Sequence, residues 1–150
     1  MLQPKKIVMK SFIVTLLWVL ASTQIAVAQV AVIVHKDAPI DTLDQAQIRD
    51  MYSYDVTAWS NKVPVTIFDL KLQSEVREAF YKFLGTSSSR MKSIWLKKLL
   101  MGEGDPPEAL KSEEEMVKKV GKTPGAIGFV GQAKVNGSVK VVMVIPKSEK

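Results

Sequence analysis

The stretch from Val63 to Leu84 limits the possible folds more than any other part of this chain. Val63-Pro-Val-Thr-Ile-Phe68 is rich in β-branched and aromatic residues, as a strand requires, with Pro64 near its start where a missing N–H is tolerable. A short polar break follows. Then Val76, Ala79, Phe80, Phe83 and Leu84 recur at i, i+3, i+4, i+7 and i+8, which draws one apolar stripe along a helix. Gly85 ends that helix. A strand that gives way to a one-faced helix is the unit of a layered α/β fold, because the stripe has to be covered by a sheet.

The rest of the chain repeats the theme. Val30–Val34 (VAVIV) is a continuous β-branched run, as expected for a strand covered on both faces. Asp41-Thr42 opens a helix, with Thr42 and Gln45 spaced as a capping box and Leu43, Ala46, Ile48, Met51 and Tyr52 on its apolar side. Ser53–Asn61 is a loop holding Trp59. Ser87-Ser88-Ser89 starts a further helix with Met91, Ile94, Trp95 and Leu99 inward, and Gly102–Pro107 (GEGDPP) breaks it. Ser112 and Glu115 form a second expected capping box, and Gly121 and Pro124 stop that helix. Ala126–Val130 and Val139–Ile145 read as closing strands with Asn136-Gly137 as the turn between them. The expected fold is α/β, a single lobe with a mostly parallel central sheet flanked by helices, the final pair being open to antiparallel addition. The alternative is an α+β sandwich with helices on one face.

Residues 1–28 read as a secretory signal peptide. Lys5, Lys6 and Lys10 precede the apolar run Ser11–Ala21, and Ala26-Val27-Ala28 is a small-x-small cleavage site. The run is short for a bilayer span. A periplasmic protein of residues 29–150 is therefore expected, with no stable membrane span after cleavage. The 1–28 segment carries three lysines and no acid, so processing removes three of the six formal positive charges. Basicity then gives no ground for nucleic-acid binding. With no cysteine there is no disulfide framework, and with His35 as the sole histidine there is no histidine-rich or thiolate metal site.

The chemistry concentrates at Asp69–Phe80 (DLKLQSEVREAF). Ser74 stands at the expected helix start and Arg77 three residues on, with Lys71 just before. A hydroxyl, free helix N–H groups and cationic side chains in one place make a candidate oxyanion site. Ordinary roles compete. Ser74 is also an N-cap of the usual kind. Arg77 is also placed to pair with Asp69 or Glu75. Elsewhere, Arg90, Lys92, Lys97 and Lys98 give one helix a basic outer face, read as a solvated surface in preference to a membrane-surface helix. Glu113–Glu115 suit the positive end of their helix. Val141–Ile145 (VVMVI) reads as a buried strand that would recruit a partner if left as a bare edge.

The ordered set of motifs resembles one family. LDQAQIRDMY (43–52), a loop Trp, PVTIFDL (64–70) and SEVREAFYKFLG (74–85) come first. Ile94-Trp95, MGEGDPP (101–107) and TPGAIGF (123–129) follow. The set is similar to that of phosphate-uptake substrate-binding proteins, and its spacing to their short, single-lobe relatives. The resemblance covers roughly residues 30–145. It implies a periplasmic-binding-protein-like lobe without enzymatic activity or cofactor. It also implies phosphate or a similar small anion as ligand, with Ser74 at the matching helix start; Arg77 and Lys71 join the candidate site from the reading of the residues alone. An ABC transporter permease or a second copy of the chain is the implied protein partner.

The chain also departs from that family. The family's Ser-Gly-Thr at the helix start is Ser74-Glu75-Val76 here, which loses a glycine and a hydroxyl and adds a charge. The place of its gripping arginine holds Leu70 and Lys71, so Arg77 is no direct replacement. Its Leu-Gly-Lys loop is Ser53-Tyr54-Asp55. These departures motivate a second expectation: an envelope interaction or assembly protein that kept the lobe and lost the ligand.

Overall fold

Strands and helices alternate through residues 29–146, the part of the chain described by the computed structural model. In order these are β1 (Val30–His35), α1 (Gln45–Tyr52), β2 (Thr66–Leu70), α2 (Glu75–Phe83) and α3 (Ser88–Leu100). β3 (Glu108–Leu110), α4 (Glu113–Lys122), β4 (Ala126–Gly131) and β5 (Val139–Ile145) complete the lobe. The expected signal segment, residues 1–28, lies outside the described residues.

The five strands form one sheet in the order β3-β2-β4-β1-β5. β2 runs parallel to both β3 and β4. β1 runs antiparallel to both β4 and β5. The α/β lobe expected from the alternation is the fold that forms, and its centre at β2–β4 is parallel. The antiparallel part reaches further in than a terminal pair would, because β1 carries it. β1 is buried along nearly its whole length and satisfies both of its edges.

That placement corrects the expected β4–β5 hairpin. The two strands lie on either side of β1, and the chain crosses between them through a short 3-10 turn at Gln132–Lys134. Asn136-Gly137 does turn the chain, with Asn136 Oδ1 accepting from Ser138 N–H at 2.9 Å, but the turn feeds β5 alone.

Other boundaries shift for local reasons. α1 is capped by Asp44, not Thr42. The Asp44 carboxylate accepts from Gln47 N–H at 2.8 Å, and Gln47 Oε1 accepts from Asp44 N–H at 2.9 Å, a complete capping box two residues later than expected. Leu43 is not helical because its N–H donates to Val142 O at 3.0 Å. At α4, Ser112 Oγ accepts from Glu115 N–H at 3.1 Å, but the Glu115 carboxylate accepts from Lys111 N–H, so only half the box forms. β2 begins at Thr66, since Val63 and Val65 bond instead to Trp59 and Thr57. β3 had no sequence signal: it is three residues long and mostly exposed.

The core lies on the sheet beneath the helices. Phe80 of α2 stacks on Phe129 of β4 with centroids 3.9 Å apart, and Tyr52 of α1 meets Phe80 edge-on at 4.9 Å. Two indole N–H groups pin the surrounding chain: Trp59 donates to Gly125 O at 2.9 Å and Trp95 to Tyr52 O at 2.7 Å. The β5 edge is blunted. Its pairing with β1 slips at Val32/Ile33, Leu43 N–H caps Val142 O, and the Lys140 ammonium holds Ala38 O and Ile40 O, each at 2.9 Å. Among the described residues no helix is long and apolar enough to cross a membrane.

Candidate functional site

The carboxyl end of a parallel strand, where the chain turns into a helix, is where open α/β sheets leave room for ligands. β2 ends this way at Leu70, and α2 begins at Glu75. Ser74 is the N-cap, in extended conformation, and its Oγ accepts from Arg77 N–H at 3.2 Å. The amides of Glu75 and Val76 belong to the first turn, whose N–H groups have no partner within the helix. Lys71 and Ser74 are both exposed. Lys71 has no ion pair among the described residues; its N–H donates to Leu110 O at 2.8 Å, which extends the β2–β3 ladder.

Arg77 takes a different direction. Its side chain is only 3% exposed and turns inward to Asp69. Nε donates to Asp69 Oδ1 at 3.1 Å and Nη2 to Asp69 Oδ2 at 2.7 Å, a bidentate pair. Nη1 donates to Gln73 Oε1 at 2.6 Å, and the guanidinium carbon lies 5.3 Å from the centre of the Tyr81 ring. The hydrogen bonds to Asp69 raise the pKa of Arg77 further, against the opposing effect of burial. Asp69 also accepts from Leu70 N–H at 2.8 Å, so β2, the turn and α2 are tied through one carboxylate.

Ser74 and Arg77 are thus brought together by a backbone contact, while Lys71 stands apart on the loop. Of the roles open to Arg77, pairing with Asp69 is the one formed. Tyr81 lies four residues after Arg77, the spacing that puts two side chains on one helix face and so a readable signal; Gln73 precedes the N-cap, and no helical spacing places it. The Tyr81 hydroxyl is buried with no hydrogen-bond partner among the described residues, and burial followed by the nearby Asp69 charge pushes its ionisation well up.

Chemically, the turn offers a hydroxyl, two first-turn amides and one free ammonium. Glu75 and Glu78 in the first turn oppose an anion electrostatically. No group of three or more His, Cys, Asp or Glu gathers into a metal-binding cluster among the described residues. His35 is a strand-end residue whose Nδ1 accepts from Asp37 N–H at 3.1 Å. A separate pocket of about 240 Å³ lies between α1 and the α2–α3 turn. Arg49 and Arg90 line it, but so do Asp50 and Asp55, which balance their charge.

Comparison with known proteins places these features in a family. A family model described as a PBP superfamily domain matches residues 11–146. Among solved structures, one similar chain is from Clostridium perfringens, assigned as a phosphate ABC transporter substrate-binding protein and determined with bound phosphate. It aligns with a TM-score of 0.64 at 22% identity, over 77% of this chain and 44% of that one. An ABC-type phosphate transport receptor from Vibrio cholerae aligns with a TM-score of 0.61 at 19% identity, over 77% of this chain and 45% of the receptor. PstS from Borrelia burgdorferi aligns with a TM-score of 0.58 at 10% identity, over 82% and 49%. At these identities the likeness is one of fold, and this chain spans less than half the length of each of the three.

Proposed function

This chain belongs to the PBP superfamily, a substrate-binding fold and not an enzyme family, and from that premise we propose that it binds phosphate or a similar oxyanion at the Ser74 turn. The observation that carries the proposal is the strand–turn–helix geometry. It sets an exposed hydroxyl and the first-turn amides of α2 at the carboxyl end of a parallel strand. The bound phosphate in the Clostridium perfringens protein supports the same ligand class. Ser74 and the amides of Glu75 and Val76 meet the anion, and Lys71 adds positive field. Arg77 reaches the ligand through Nη1 by exchanging Gln73 for it, while Asp69 keeps the rest of the guanidinium. The protein acts outside the cytoplasm after removal of residues 1–28, in connection with phosphate uptake. An ABC transporter permease, or a second copy completing the cleft, is its partner.

One observation favours the second reading, an envelope interaction protein that no longer binds a ligand: Arg77 is already neutralised by Asp69 and buried. Calorimetry separates the two. Residues 29–150 titrated with phosphate give a saturable heat that Ser74→Ala weakens. No heat up to millimolar phosphate rejects oxyanion binding for this chain and leaves the interaction protein.

A further inference from the structure

α3 is apolar on two sides. Met91 and Trp95 face the core. Leu99, expected to join them, turns outward and is 41% exposed, beside Leu96 at 54% and Leu100 at 80%. These three leucines follow i, i+3 and i+4, so they form one outward stripe, and Met101, the C-cap next in the chain, is also exposed at 58%. Lys92 lies one turn before Leu96 on the same side, and Lys97, three residues before Leu100, borders the stripe; Arg90 turns instead to the pocket beside α1. α3 contains no acid. Among the described residues Arg90, Lys92 and Lys97 make no ion pair, and Lys98 is held by Glu103 at 2.8 Å.

We infer that this outward face of α3 docks on an anionic lipid surface, with the leucines entering the headgroup boundary and the lysines meeting lipid charge. Charge complementarity selects this occupant. Unpaired cations interleaved with leucines suit anionic headgroups, where long side chains bury their stems and keep their charge in water. The centre of a protein interface is instead depleted of lysine. Size points the same way. The four side chains present a few hundred Å² of apolar surface, short of the ~800 Å² per partner that a stable dimer takes. The inference does not depend on ligand binding at Ser74.

Residues 29–150 are the chain to test, because the core of the described lobe lies between Val30 and Ile145. Co-sedimentation is run with vesicles of mixed phosphatidylglycerol and phosphatidylcholine, and with phosphatidylcholine alone. The expected result is a preference of about tenfold or more for the anionic vesicles that fades as salt is raised. Replacing Leu96, Leu99 and Leu100 together by Ser lowers binding by about tenfold or more. Should that variant fail to fold, Lys92→Gln with Lys97→Gln decides, and is expected to bring binding close to the level on neutral vesicles. No preference for anionic vesicles, or binding unchanged in the lysine variant, overturns the inference. So does a dimer in light scattering that the leucine variant dissociates while vesicles bind nothing.

Discussion

Arg77 of α2 and Asp69 of β2 form a bidentate ion pair in the interior, with both side chains under 5% exposed and the shorter contact 2.7 Å. Taking two charges out of water is costly, so such a pair holds its place by geometry and by satisfying its neighbours, here Gln73 and the Leu70 amide. It joins the strand that ends at the candidate site to the helix that begins there.

Breaking that pair from one side leaves a lone buried charge. Asp69→Ala or Arg77→Ala is expected to lower stability by about 3–5 kcal/mol. Asp69→Leu combined with Arg77→Met is expected to recover most of that loss, since neither charge then remains. Urea denaturation of the four proteins checks this. A double variant as unstable as the sum of the single ones would show that the pair is not the unit argued here.

Ser74 has two roles that separate by substitution. As an N-cap its replacement by Ala costs about 1 kcal/mol, whereas Gly costs only a few tenths. Ser74→Gly is therefore expected to melt close to the unaltered protein. If the hydroxyl meets the anion, the same variant binds phosphate about tenfold or more weakly, the scale of one hydrogen bond to a charged group. Thermal melts and calorimetry on that single variant give both readings.

All three tyrosines resist ionisation. Tyr54 rises from 10.0 to about 12, first through burial and then through the Asp105 charge. Tyr52 is raised by burial and Asp69, and Tyr81 likewise. Below pH 10 the folded and unfolded chains both hold these protons, so the tyrosines add no pH dependence. Above it the unfolded chain releases protons that the folded chain keeps, so stability falls as pH rises from 10 through about 12. Absorbance of tyrosinate against pH is expected to show no ordinary titration at pH 10 and a cooperative rise with alkaline unfolding. A smooth three-proton titration near 10 in the folded protein would count against the buried placement.

Gly125 sits at φ +80°, and a Cβ there would come within 2.1 Å of Pro64 O. Its carbonyl accepts from the Trp59 indole and from Thr66 N–H, so the loop, β2 and β4 converge on it. Gly125→Ala is expected to cost about 3 kcal/mol or more, from a left-handed backbone and a clash with backbone that cannot step aside. By contrast, Gly137→Ala meets nothing within 4 Å and is expected to be nearly neutral. Comparing the two melting temperatures tests whether close approach explains the glycine of the PGAIGF motif.

The α2 stripe, the Ser74 cap and the Gly85 stop were legible because each is local: hydrophobic period, cap chemistry and positive φ are properties of a few adjacent residues. The true start of α1 is not legible locally, because the bond that excludes Thr42, Leu43 N–H to Val142 O, comes from a strand about a hundred residues away. The outward turn of Leu99 is not legible either, because a helix apolar on two sides has no single period to locate its core face. At the candidate site, the sequence named Ser74, Arg77 and Lys71 and left two roles open for Arg77. Nothing local chooses between a surface cation and a buried partner of Asp69.

By itself the sequence determined that strands and helices alternate, where most helices start, and that the hydroxyl and guanidinium share one helix start, since adjacent residues carry those signals. Only the tertiary structure decided that β1 separates β4 from β5 and that Arg77 turns inward to Asp69. Strand order and burial are set by which surfaces and charges find partners across the whole lobe, and residue spacing along the chain does not encode that distance.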